Sequence, residues 1–119
     1  MTGPLDGIRI VELASWMFIP SAGSVLVDWG ADVIKVENPD GGDPQRGLIT
    51  SGLLPGGAGG VNFMIEQPNR GKRSAAINLA HPDGRETFLT LIETADVLLT
   101  NYLPPIRRKL QIETDDLRA

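Results

Sequence analysis

Two β-branched apolar runs bracket one amphipathic stretch, and that arrangement constrains the fold more than anything else in the chain. "IRIVEL" (Ile8–Leu13) follows the turn signal Asp6-Gly7, and "DVIKVE" (Asp32–Glu37) comes later; both read as strands. Between them Ala22, Val25, Leu26 and Trp29 recur at i, i+3, i+4 and i+7, one face of a helix. This spacing predicts a helix over Ser21–Trp29, with Pro20 in its first turn and Gly30 as the left-handed residue that ends it. "ASWMFIP" before it is expected to be a loop. A strand, a helix and a strand joined by short connections give neighbouring parallel strands through a right-handed crossover.

The pattern then recurs more weakly. "SAAINL" (Ser74–Leu79) is predicted as a third strand, and Val97–Thr100 as a fourth that ends at Asn101-Tyr102. Between them His81 occupies a helix N-cap slot, Pro82 the first helical position and Asp83 the first turn. Phe88, Leu91, Ile92 and Ala95 supply the apolar stripe of a helix over Pro82–Thr94. Asn38 to Gly60 reads as one long irregular stretch, which in a compact domain is functional or disordered. Phe63–Glu66 suits a short helical turn. Pro104-Pro105 opens a short basic helix, and "ETDDLRA" reads as a further helix start capped by Thr114. A helix of about one turn is not stable alone, so residues 1–119 are expected to be a single α/β domain and a fragment of a longer protein.

Composition narrows function. The formal net charge is −4 and 41% of the 119 residues are hydrophobic, which suits a globular domain and argues against a general nucleic-acid binder. No apolar run approaches the roughly 18 residues of a membrane span, and "MTGPLDG" lacks the charged and apolar regions of a signal peptide. A cytoplasmic location is the resulting expectation. The chain has no cysteine, which excludes thiolate metal sites and cysteine nucleophiles. With His81 as the sole histidine, neither a multi-histidine metal site nor a Ser-His-Asp triad can be assembled from this chain alone. No metal ligands are predicted.

Several candidate sites remain. "GGAGG" (Gly56–Gly60) lacks the preceding strand that a dinucleotide fingerprint requires, and is expected to be a mobile loop. Glu12, Asp32 and Glu37 sit in or beside strands, where structural roles are simpler than acid–base work. His81 is expected to be a surface cap. Two basic clusters stand out against the acidic background: Arg70, Lys72 and Arg73 before the third strand, and Arg107, Arg108 and Lys109 after the fourth. Ligands of open α/β sheets sit at the carboxyl ends of strands. Asn101 and Tyr102 lie there, and a helix starting at Pro104 is expected to offer free N–H groups to an anion. A phosphate-bearing ligand and a solvated basic face are both open at this point.

The segments "PLDGIRIVEL", "DWGADVIKVE", "GGDPQRG", "NRGKRSAAINLAHPDGRE", "ADVLLTNY" and "TDDLRA" resemble, in order and spacing, the N-terminal part of the class III CoA-transferases. These include formyl-CoA transferase, carnitine CoA-transferase and the bile-acid-inducible proteins, with α-methylacyl-CoA racemase as a relative. The resemblance implies a Rossmann-like, mainly parallel sheet flanked by helices, the N-terminal CoA-binding portion of a larger interlocked homodimer. It implies movement of CoA between an acyl-CoA and a carboxylic acid through an aspartyl-CoA thioester. It places the aspartate beyond Ala119, so that no residue here inherits the catalytic role and the fragment alone is expected to be inactive. By position it implies CoA contacts from Met17 and Phe18, from Asn38, from Ile77, Asn78, Leu79 and Ala80, from Asn101, Tyr102 and Leu103, and from Lys109. Asn38 and Lys109 stand where arginines are usual in the family, leaving Lys72, Arg73 or Lys109 to compensate. "SWMFIP" is bulkier than the family's small loop. A racemase-type isomerase and a non-catalytic CoA- or nucleotide-binding module are the alternatives.

Overall fold

A computed structural model describes residues 2–56 and 58–119. In chain order the elements are β1 (Arg9–Leu13), α1 (Phe18–Asp28), β2 (Asp32–Glu37), α2 (Gly47–Thr50), α3 (Phe63–Asn69), β3 (Arg73–Ala76), α4 (Pro82–Ile92), β4 (Val97–Thr100), α5 (Pro104–Leu110) and α6 (Thr114–Arg118). Short 3₁₀ turns at Pro44–Arg46 and Ala58–Gly60 join them. The four strands form one parallel sheet in the order β3-β2-β1-β4, as the alternating periodicity predicts.

Strand alternation sends β1 residues to opposite faces. Ile10, with Val33 of β2, packs under Leu26 and Val27 of α1. Val11, Leu13 and Val36 face the other way, onto Phe88 of α4 and Ile112, with Leu110 and Leu117 beside them. Helices therefore cover both faces of the sheet, which lets its strands run as continuous Val/Ile sequences.

Helix ends follow local chemistry. α1 closes with a Schellman motif: Gly30, at φ +101°, donates its N–H to the Val27 carbonyl at 2.8 Å, and Ala31 donates to Leu26 at 3.0 Å. His81 caps α4, its Nδ1 accepting the Asp83 N–H at 3.3 Å. α4 begins so close to the preceding turn that a Cβ at Gly84 would lie 2.0 Å from the Asn78 carbonyl.

Several boundaries differ from the sequence expectation. α1 starts at Phe18 rather than Ser21, so Met17 is its N-cap position and Phe18 its first residue. Pro20 still lies in the first turn, where its missing N–H costs nothing. β3 ends at Ala76 rather than Leu79. Its partner β2 stops at Glu37, whose carbonyl takes the Ile77 N–H as a last bond, and Asn78 then turns the chain. α3 runs on to Asn69 through Pro68. Pro68 cannot donate to the Met64 carbonyl, and the Gln45 side chain does so instead at 2.8 Å. The stretch from Asn38 to Gly60 is not wholly irregular, because Asp43 caps the 3₁₀ turn that leads into α2. α6 is capped by Glu113 in a capping box with Asp116, not by Thr114. Gly57 of the "GGAGG" run lies outside the described residues.

α5 ends in a second Schellman arrangement, with Gln111 rather than glycine in the left-handed position, at φ +54°. Replacing a side-chain-bearing residue there with glycine relieves backbone strain. Gln111→Gly should raise the unfolding free energy by about 0.5–1 kcal/mol in urea titrations. A loss of stability would show that the glutamine side chain holds this end of the helix.

Candidate functional site

The basic triplet that leads into β3 and includes its first residue, Arg73, is committed to ion pairs. Arg70 pairs with Asp28 of α1 and also donates to Ser24 Oγ at 3.0 Å. Arg73 reaches Asp32 at 3.0 Å, and Arg9 reaches the same carboxylate at 2.9 Å. Lys72 is buried against Glu12, 2.7 Å from its Oε2. It also donates to the Pro20 carbonyl at 2.8 Å and to Asn69 Oδ1 at 3.0 Å. Arg73 opens β3, so its pair with Asp32 and Arg9 lies at the amino edge of the sheet, opposite the edge where such sheets take ligands. This corrects the expectation that Lys72 or Arg73 compensates at a phosphate site.

Glu12 and Lys72 are among the most buried charged side chains, 0% and 2% exposed. Burial pushes the Glu12 carboxyl up and the Lys72 ammonium down, and their mutual attraction opposes both shifts. Gly23 of α1 makes room for the pair, since a Cβ there would stand 1.9 Å from Glu12 Oε2. Lys35, next to Glu12 in the β1–β2 register, bonds Glu12 at 3.3 Å, the Ala14 carbonyl at 2.9 Å and Asp43 at 3.0 Å.

The carboxyl edge is built differently. Connections leave β1 and β4 toward opposite faces, so the ends of these strands form the switch point of the sheet. Asn101 bridges it: its Nδ2 donates to the Ser15 carbonyl at 2.8 Å, and its Oδ1 accepts the Ser15 N–H at 3.1 Å. This places Trp16, Met17 and Phe18 beside Asn101, Tyr102 and Leu103. Phe18 and Leu103 are 89% and 69% exposed. Tyr102 is half-buried against the core, and burial raises its phenol above the ordinary value.

The remaining candidates fall in two further places. Leu79, Ala80 and Lys109 line one cavity of about 360 Å³, together with His81, Pro82 and Arg85. Arg85 is occupied by the Leu110 and Gln111 carbonyls, and Lys109 has no ion-pair partner among the described residues. Asn38 lines a separate hollow of about 290 Å³ with Glu37, Arg46 and Ser74. Its Oδ1 accepts the Asp40 N–H at 2.9 Å, so it shapes a turn. Ile77 packs on the core, and Asn78 folds back onto Ala80. The expected anion site at the start of α5 is absent: Pro104 and Pro105 have no N–H, and those of Ile106 and Arg107 bond the Leu103 carbonyl at 2.9 and 3.1 Å.

Sequence reasoning missed Lys35, Asp43, Gln45 and Arg46. Lys35 was detectable, because a lysine on the same strand face as Val33 points into the interior and demands anions. Arg46 closes a two-pronged pair on Glu37, with contacts of 2.8 and 2.6 Å. Glu37 also accepts the Asp43 N–H at 2.7 Å. The partners of Arg46 and Gln45 could not be read from spacing, because they depend on how the loop after β2 folds back.

The profile of CoA-transferase family III matches residues 5–119. A Mycobacterium tuberculosis protein named "Probable fatty acyl-CoA transferase Rv3272" is 42% identical over 98% of this chain and 28% of its own length. A succinate–glutarate CoA-transferase of Agrobacterium fabrum is 41% identical over 98% of this chain and 29% of its own. The crystal structure of the Mycobacterium tuberculosis protein in an orthorhombic form superposes with a TM-score of 0.85 at 39% identity, over 98% of this chain and 31% of that one. A CAIB/BAIF family protein of Brucella suis gives 0.81 at 35% identity, over 99% and 31%. The chain thus spans less than a third of the length of these relatives.

Arg46 holds the Glu37 carboxyl below its ordinary value near 4.5, through hydrogen bonds that outweigh burial. A depressed carboxylate contributes stability that is present above about pH 4.5 and is lost as the pH falls through the lower folded value. Arg46→Ala should cost on the order of 1 kcal/mol at neutral pH, a value discounted for the half-exposed guanidinium. It should cost progressively less as the pH drops below the Glu37 range. Urea unfolding across that range checks this; a cost independent of pH would separate Arg46 from Glu37.

Proposed function

Because the chain belongs to CoA-transferase family III, we propose that residues 1–119 are the CoA-binding α/β domain of an enzyme that moves CoA between an acyl-CoA and a carboxylic acid. The observation that carries the binding reading is the convergence of Leu79, Ala80 and Lys109 on one cavity at the carboxyl edge. Its donor set suits a nucleotide with phosphates: apolar walls from Leu79, Pro82 and Leu110 for a base, and a lysine without an ion-pair partner among the described residues for an anion. We assign the loop Ile77–Ala80 and Lys109 to the nucleotide end. Asn38 lies further along the same edge. Met17, Phe18, Asn101, Tyr102 and Leu103 at the switch point are assigned to the remainder of CoA.

CoA supplies the thiol that carries the acyl group; this chain supplies binding and orientation. The transfer chemistry proposed here uses an aspartate elsewhere in the longer polypeptide. The buried acids support this, since Glu12, Glu37 and Asp43 are each ion-paired to Lys72, Arg46 and Lys35, and a nucleophile held that way is not free to attack. The full-length protein is read as a homodimer in the cytoplasm, and exposed Ile106 and Val97 offer apolar surface for assembly. Gel filtration of the full-length protein as a monomer would remove the dimer from this reading.

Lys109→Ala in the full-length protein should weaken CoA binding by about 1–3 kcal/mol in titration calorimetry, the scale of one charge-assisted contact. Unchanged affinity would take Lys109 out of the site. Residues 1–119 alone, given an acyl-CoA and an acceptor acid, should yield no exchanged thioester by mass spectrometry. Exchange above background would place the nucleophile within this chain.

A further inference from the structure

Trp16 has a left-handed backbone, φ +71°, although it carries one of the largest side chains. Such a conformation persists only where its surroundings hold it. The Trp16 N–H donates to Asp43 Oδ1 at 3.0 Å. The same oxygen accepts the Gln45 N–H at 2.9 Å, and Oδ2 accepts Lys35 Nζ at 3.0 Å. The Asp43 and Lys35 side chains are 0% and 3% exposed, so this carboxylate has no solvent to compensate for a lost partner. Gln45, positioned by that cap, places its Nε2 3.7 Å from Met17 Sδ and 2.8 Å from the Met64 carbonyl. One buried carboxylate therefore joins the interior of β2, the turn after it and the turn between β1 and α1.

We propose that Asp43 is a positioning residue of the CoA site: anchored by Lys35, it fixes the left-handed turn at Trp16 and with it the placement of Met17 and Phe18 along the carboxyl edge. The assignment rests on the CoA reading above. It needs no contact between Asp43 and the ligand.

The donor arithmetic makes the assignment specific. Three donors converge on two oxygens, and only a carboxylate satisfies all of them. Asparagine must turn its NH₂ either toward Lys35 or toward the two backbone N–H groups, and each choice sets donor against donor. Lys35→Met removes one of those donors. In the Lys35→Met/Asp43→Asn pair the buried charges again balance, because Glu12 keeps Lys72 at 2.7 Å, and the asparagine oxygen is free for Trp16 and Gln45. The Ala14 carbonyl loses its Lys35 donor in this pair, which limits the recovery.

The test combines calorimetric titration of coenzyme A with NMR of the chain labelled with ¹⁵N-tryptophan. Only two tryptophans are present, and Trp29→Phe identifies the Trp16 amide. Asp43→Asn should shift the Trp16 amide resonance upfield and raise the Kd for CoA about tenfold, the scale of one charge-assisted bond. The double variant should restore the resonance and bring Kd to within about threefold of wild type. Asp43→Glu keeps a negative charge beside Lys35 but displaces the oxygens by one methylene; it should lower the thermal midpoint less than Asp43→Asn while still losing CoA affinity, and it decides the matter if Asp43→Asn does not fold. Unchanged Kd in a folded Asp43→Asn or Asp43→Glu variant, or a double variant as impaired as the single, would overturn the assignment. If the wild-type chain does not bind CoA, the CoA reading falls and the assignment to a CoA site falls with it; the Trp16 resonance then reports on Asp43's hold over the turn alone.

Discussion

The structure depends on a lysine that points into the wrong side of a strand. Lys35 lies between Ile34 and Val36 of a buried parallel strand, on the face where Val33 meets α1. An ammonium there is tolerable only with anions around it. It draws in Glu12 from β1 and Asp43 from the following loop. Glu12 in turn requires Lys72, and Lys72 requires Gly23 so that α1 can sit above the pair. Two acids and two lysines cancel one another, and elements from β1 to the start of β3 are tied to a single buried cluster. Replacing such a cluster with apolar side chains can be neutral for stability, whereas removing one member is costly. Its value here is geometric, because it specifies where the loops leave the sheet.

That geometry separates the two edges. At the amino edge, Arg9, Asp32 and Arg73 form an exposed ion-pair chain, which contributes little to stability. At the carboxyl edge, loops are fixed by buried or reciprocal bonds: Asn101 to Ser15, Asp43 to Trp16, Glu37 to Arg46. The side chains beside those loops, among them Phe18 at the start of α1, Leu103 and Lys109 of α5, remain exposed. A rigid backbone that presents exposed side chains at the ends of parallel strands is the arrangement through which open α/β sheets bind nucleotides.

Much of this was legible in the sequence. The strands of "IRIVEL" and "DVIKVE" and the α1 and α4 stripes follow from periodicity, and the ends at Gly30 and His81 follow from single residues. The meaning of "RGKR" was not legible. Charge patterning marks it as basic, but its partners lie 41 to 60 positions away: Arg73 with Asp32, Arg70 with Asp28, Lys72 with Glu12. Only the strand order brings them together. The extent of α3 was hidden because Pro68 signals a stop, and the side chain that removes this objection comes from Gln45. Tertiary contacts decided each of these cases against local propensity. For the site, the candidates at Leu79, Ala80 and Lys109 do share a cavity, while Asn38 lies in another hollow and Ile77 belongs to the core.

The carboxyl edge of this parallel sheet is the face proposed to receive CoA. Amide chemical-shift mapping of the uniformly ¹⁵N-labelled chain during titration with coenzyme A tests it most directly. CoA bound there should shift residues 77–80, Lys109 and the switch point from Met17–Phe18 to Asn101–Leu103, with the amides of Arg9, Asp32 and Arg73 unmoved. Shifts confined to that amino-edge trio, or none at saturating CoA, would contradict it.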